Sequence, residues 1–282
     1  MKSTLFLEYS IIHSFNHYII VTMQLKIYQL DAFTDKVFGG NPAAVIPLTK
    51  WLSDELMQKI ALENNLAETA FYTPEGDKFH IRWFTPTIEV DLCGHATLAT
   101  SYQIFHYENY PKSIIEFNSR SGILKVEKQG DLLELDFPID KLQPVETPQA
   151  LIDSLGMTPR ETFKGLTDYM LIFDSESQIK ALNPDFRKMS EVDCRGVIVT
   201  AKGIEVDFVS RFFGPNSGGD EDPVTGSAHT SLTPYWAKVL GKNEFNARQI
   251  SARGGELACK LVGERVKISG KVAPYLVGEI TV

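Results

Sequence analysis

Apolar and polar positions fall in short patterned runs along most of this chain, and the period of the pattern switches repeatedly between two and about 3.6. Strand-like patterning opens at Met23, where Leu25, Ile27 and Leu30 lead a strand predicted over Lys26 to Phe33, and a second follows at Ala43 to Pro47. Helical spacing then takes over from Ser53 to Asn65. Ser53 is placed to cap, Asp54 and Glu55 suit the positive first turn, and Leu56, Met57, Ile60 and Ala61 recur at helical spacing. Strands are predicted at Thr69 to Thr73 and His80 to Phe84, then a loop to Gly94, a helix from about His95 to His106, and a hairpin-like run from Ile114 to Phe137. Ser121-Gly122 and Gln129-Gly130 supply its turns.

The same order recurs in the second half. Arg82-Trp83-Phe84-Thr85-Pro86 is echoed by Arg211-Phe212-Phe213-Gly214-Pro215, Gly94-His95-Ala96 by Gly226-Ser227-Ala228, and Ser119-Arg120-Ser121-Gly122 by Ala252-Arg253-Gly254-Gly255. Leu52-Ser53-Asp54 similarly resembles Leu182-Asn183-Pro184-Asp185, each a capping segment ahead of a short helix. Echoes in order at nearly constant separation argue for a duplicated α/β unit, expected over 23–138 and 139–282, with the last strand returning to the first. Two such halves enclose a cleft, and ligand sites favour such interfaces. Met1 to Thr22 lacks a clean apolar run or a cleavage site and reads as an extension upstream of the true start, or as an extra terminal element.

Composition narrows the function classes. A net charge of -8 gives no attraction to phosphate backbones or anionic membranes, so no nucleic-acid or membrane partner is expected. The three cysteines, Cys93, Cys194 and Cys259, lie far apart without C-x-x-C spacing, which supports neither a disulfide framework nor a zinc site and fits a reducing, cytoplasmic compartment. No H-E-x-x-H pair or phosphate-binding glycine loop occurs, so no metal or cofactor is expected.

Each half carries a glycine at a predicted helix start: Cys93-Gly94-His95 and Thr225-Gly226-Ser227. Unpaired N–H groups and the positive macrodipole end there bind anions, and two such termini facing one cleft would hold a carboxylate. Glu68, where a helix gives way to an apolar strand, is either a general acid/base raised by desolvation or a solvated loop acid. On the residues alone the solvated acid is the better reading. His95 reads as a proton-transfer or positioning group or a plain helix-start residue, and His229 as structural. The acids Asp220-Glu221-Asp222 read as helix-start residues. Cys93 reads as a thiol whose pKa a helix N-terminus would lower, or as a small buried residue.

Six motifs in order sharpen these alternatives: Asp31-Ala32-Phe33-Thr34, Gly40-Asn41-Pro42-Ala43-Ala44-Val45, Glu68-Thr69-Ala70-Phe71, Arg82-Trp83-Phe84-Thr85-Pro86 with Glu89, Cys93-Gly94-His95-Ala96-Thr97, and Glu221-Asp222-Pro223-Val224-Thr225-Gly226-Ser227-Ala228-His229. From about Met23 onward the chain resembles the PhzF-like isomerases of phenazine biosynthesis. The resemblance implies an α+β fold of two pseudo-symmetric halves, each a curved, mostly antiparallel sheet wrapped around a central helix, as in diaminopimelate epimerase. It implies a cofactor-independent proton shift on a small carboxylated metabolite, with Glu68, His95 and Asp222 catalytic. Gly94, Gly226, Ser227 and Asn41 would bind substrate, Tyr72 would lie near its far end, and the protein would be a homodimer. Racemisation by two thiols on the same fold is disfavoured, because the place matching Cys93, taken as Pro223, carries no acid/base group, which leaves an amino-acid racemase or epimerase using Glu68 on one face, or a small-molecule-binding homologue without the chemistry, as the alternatives.

Overall fold

A computed structural model describes residues 9–12, 20–217 and 219–282. Most of Met1 to Thr22 lies outside these residues, although Tyr9–Ile12 pairs antiparallel with the start of strand Ile20–Ala32. The strands join in one mixed, mostly antiparallel network, and together with a few helices they make an α+β fold.

Both halves repeat one connectivity. In the first, Asn41–Pro47 runs parallel to Glu68–Glu75, which pairs antiparallel with Lys78–Phe84, itself parallel to Ile114–Ser119. In the second, Asp168–Ile172, Gly196–Lys202, Phe208–Gly214 and Glu244–Gln249 take the same three relations. Two antiparallel strands complete each set, and their tight turns use glycine where φ is positive, as at Gly122 and Gly130. Strand Arg265–Gly270 pairs with Leu132–Pro138, and the last strand, Val272–Thr281, pairs with Ile20–Ala32, so the halves are stitched at both seams.

The helix Gly94–Tyr107 is buried on nearly every side. Polar residues survive there because their hydroxyls are spent locally: Thr100 donates to the Ala96 carbonyl (2.7 Å) and Ser101 to that of Thr97 (2.8 Å). Its counterpart runs His229–Leu240. It begins two residues later than the Ser227 start expected from sequence, because i→i+3 bonds from His229 to Gly226 and from Thr230 to Ser227 tighten the entry into a turn. Pro234 stands inside this helix and cannot donate to Thr230, whose freed carbonyl instead accepts the Asp140 N–H at 3.2 Å. One apolar cluster surrounds both helices, and a further cluster caps the outer sheet face of each half. The central strands are therefore buried on both faces, which is why runs such as Ala43-Ala44-Val45-Ile46 show no alternation.

Candidate active site

The two helix entries meet. A Cβ added to Gly94 would lie 3.9 Å from the Gly226 Cα, and one added to Gly226 would lie 3.9 Å from the Gly94 Cα. Phe33 packs beneath Gly226 in a left-handed conformation (φ 63), and its turn ends the first strand at Ala32 rather than at Phe33. The backbones of the two helix entries thus come together from both halves. Beside them opens a cleft of about 900 Å³ lined by both halves, among others by Glu68 and Leu92 from the first and by Asp168, Arg195, Asp222 and Ser227 from the second.

Glu68 opens strand Glu68–Glu75 at the cleft wall, and its Oε2 lies 3.1 Å from His95 Nε2. The approach lacks hydrogen-bond alignment, so among the described residues both atoms are buried without a hydrogen-bond partner. Burial by itself would lower the His95 pKa, but its interactions with Cys93 and Glu68 reverse the sign and raise the imidazole well above its usual range. The other ring nitrogen, Nδ1, faces Asn41 Nδ2 at 3.2 Å and Cys93 Sγ at 3.5 Å. Asn41 is fully buried behind the wall and also donates to Asp222 Oδ1 (2.6 Å) and to the Val224 carbonyl (3.0 Å). Its side chain is a brace between His95 and Asp222 rather than a lining group of the cleft. Asp222 is pushed up by burial, an effect that His95 opposes and Glu68 reinforces, and Thr225 donates to its second oxygen.

Several expectations change here. Asp220, Glu221 and Asp222 do not start a helix; they lie on or beside strand Gly219–Asp222, where Glu221 takes both ends of the Arg211 guanidinium (2.7 and 2.9 Å). Cys93 is not an activated thiol, since burial and the nearby Glu68 push it up to about 11. Its counterpart is Thr225 rather than Pro223: Thr97 Oγ1 donates to the Cys93 carbonyl (2.5 Å) just as the His229 ring meets the Thr225 carbonyl (2.9 Å), four residues back in each case. Tyr72 points along the far end of the first central helix, bonded to Gln103 and Glu108, and does not reach the cleft. His229 is buried and driven down to about 4, a neutral structural ring. Glu68, Cys93 and His95 bring ligand-type atoms within 4.8 Å of one another. Cys93 and Glu68 nevertheless meet opposite nitrogens of one ring, so an ion on either nitrogen would not have both other ligands beside it.

Sequence reading missed Arg195, Asp168 and Gln249. Arg195 binds Asp168 through Nε (2.9 Å) and a second N–H, and both of its terminal nitrogens lie 3.2 Å from Ser227 Oγ. Gln249, fully buried, donates to the Asp222 carbonyl (2.7 Å) and accepts the Thr225 N–H (2.9 Å), fixing the second entry loop. The signal for Arg195 was present in the repeat. Arg82 pairs in register with Phe71 and Arg211 with Val199, which carries Glu68 onto Gly196, the residue after Arg195.

Residues 30–278 match the family model described as phenazine biosynthesis-like protein. The chain belongs to that family. A protein of Pseudomonas aeruginosa named as an uncharacterized isomerase is 52% identical over 92% of this chain and 99% of its own length. The solved structure of a PhzF-family protein from Enterococcus faecalis superposes with a TM-score of 0.89 at 44% identity, covering 92% of this chain and 99% of that one. A hydroxyproline epimerase from Agrobacterium vitis shares the fold alone, with a TM-score of 0.61 at 11% identity over 92% of this chain and 93% of that one. With these relatives the chain is an isomerase of the PhzF family. No helix among the described residues is long and apolar enough to cross a membrane.

Proposed function

We propose that the protein moves a proton between carbons of a small carboxylated substrate by general acid/base catalysis, with its own side chains carrying the proton in a reducing, cytoplasmic setting. The observation behind this reading is the Glu68–His95 contact at 3.1 Å, whose two buried atoms lack hydrogen-bond partners among the described residues and sit beside the meeting helix entries. A carboxylate of the substrate would lie against the Gly94 and Gly226 amides and the Ser227 hydroxyl. Glu68 would take a proton from a carbon conjugated to that carboxylate, and the charge would flow onto the carboxylate oxygens, where fixed N–H dipoles stabilise it. Glu68 would then return the same proton to a second carbon, so that the double bond moves and nothing else is gained or lost. His95, raised well above its usual range, stands 3.1 Å from this base. Asp222, braced by Asn41 and Thr225 and raised by burial, is the second acid of the site.

Two-thiol racemisation gains no support: Cys93 is pushed up to about 11, and Thr225 holds the matching place in the other half. The decisive experiment screens carboxylated metabolites for deuterium uptake from heavy water with wild-type protein and with Glu68→Gln. Exchange by wild type, reduced roughly 10²–10⁴-fold in the variant, is the expected result. Exchange of equal rate in both would refute Glu68 as the base.

A further inference from the structure

The two halves place different chemistry at matching helix-entry positions beside the cleft. His95 and Ser227 each follow the entry glycine of a central helix. In the first half a carboxylate, Glu68, meets His95 at 3.1 Å; in the second a guanidinium, Arg195, meets Ser227 at 3.2 Å from the neighbouring strand position. Arg195 is itself held. Asp168, whose side chain is 6% exposed, takes two of its donors, and the guanidinium lies 5.2 Å from the centre of the Phe212 ring.

We propose that Arg195 is a positioning residue that locks the Ser227 hydroxyl as a hydrogen-bond donor facing the cleft, making the second half selective for an anionic group over its neutral isostere. A hydroxyl oxygen has two lone pairs and one proton. Two guanidinium nitrogens occupy the acceptor side of Ser227 Oγ, and among the described residues nothing accepts its proton. Ser227 lines the cleft, so that proton is available to a bound oxygen. A ligand N–H at this point would meet a hydroxyl with no free lone pair and a cation behind it, whereas a carboxylate oxygen would meet a donor polarised by that cation. Arg195 would act through Ser227, since Asp168 and Ser227 fill most of its fork. Lysine cannot substitute, because one ammonium cannot span both partners in this geometry. The inference rests on the carboxylate site proposed above.

Benzoate and benzamide differ at one group and probe this selectivity without any turnover. Their dissociation constants are measured by NMR titration for the whole protein and for Arg195→Gln/Asp168→Asn, Arg195→Lys, Ser227→Ala, and the triple variant that combines the first and third. The Arg195→Gln/Asp168→Asn pair removes both charges together, leaving no unpaired buried ion, and thermal melting follows the fold of each variant. Wild type is expected to prefer benzoate by about tenfold or more, as a hydrogen bond to a charged group implies. The neutral pair and Arg195→Lys should each lose most of that preference, and the triple variant should be no worse than Ser227→Ala. A preference that survives in Arg195→Gln/Asp168→Asn but falls in Ser227→Ala overturns the role of Arg195 and leaves the carboxylate site standing. Additive losses in the triple variant overturn the action through Ser227. If wild type shows no preference, the carboxylate site fails and this inference fails with it.

Discussion

The two halves of this protein keep the same supports while their cleft-facing groups differ. Arg82 makes a two-pronged pair with Glu89 (2.7 and 2.7 Å), and Arg211 makes the same pair with Glu221 (2.7 and 2.9 Å), each guanidinium also lying over a phenylalanine ring, Phe84 or Phe213. Thr97 and His229 each meet the carbonyl four residues back at the helix entry, although one is a hydroxyl and the other an imidazole. What these positions hold constant is a donor facing a carbonyl rather than a residue type. At the cleft the pairing changes from Glu68 with His95 to Arg195 with Ser227. In the reading proposed above, one half moves the proton and the other holds the charge.

That division is open to direct attack, and the largest effect belongs to the proton-moving half. Glu68→Gln should cost roughly 10²–10⁴-fold in substrate proton exchange while leaving the melting temperature close to wild type. An equal loss from Glu221→Gln, a structural acid in the other half, would erase the distinction. The matched ion pairs come next. Arg211 also donates to the Ile179 and Leu182 carbonyls (3.2 and 2.7 Å), whereas Glu89 keeps Arg120 as a second partner when Arg82 is lost. Arg211→Met should therefore destabilise by about 3 kcal/mol or more in urea unfolding, and Arg82→Met by distinctly less. Equal costs would show that the two supports are energetically interchangeable as well as geometrically alike.

The third contrast is between the two helix-entry histidines. His229 is held near 4, below its ordinary 6.5, so the unfolded chain takes up a proton that the folded one refuses as pH falls between those values. Its stabilisation is complete above about pH 6.5 and is lost toward pH 4, about 2 kcal/mol of it between pH 7 and 5. His95 is shifted in the opposite direction, so its contribution is complete below about pH 6.5 and is lost as pH rises from there through its raised value. His229→Asn, which retains a donor for the Thr225 carbonyl, should flatten the acid limb of stability against pH. An unchanged acid limb would assign that limb to other groups. The smallest expected effect is that of Ser227→Ala, which should weaken benzoate binding by roughly 1–3 kcal/mol. Benzoate affinity equal to wild type would remove Ser227 from the anion-holding half.

Much of this was legible in the chain itself. Hydrophobic period and turn residues located the helix that Ser53 caps (its side chain accepts the Leu56 N–H), the Gly122 and Gly130 turns, and the buried runs of the central strands. The repeat announced two helix entries, and the motif Glu68-Thr69-Ala70-Phe71 singled out the carboxylate that meets His95. These features are local, set by backbone sterics, capping and side-chain periodicity within a few residues. Tertiary structure decided what depends on residues far apart: that Asn41 is buried as a brace between His95 and Asp222, that burial drives Cys93 up rather than down, and that Tyr72 serves the far end of its helix. Protonation follows from desolvation and nearby charge, and neither exists until the two halves close around each other. The entry loops behave likewise. Each glycine could be read as a helix start in the sequence, but only the fold sets Gly94 against Gly226 and gives Ser227 its guanidinium neighbour.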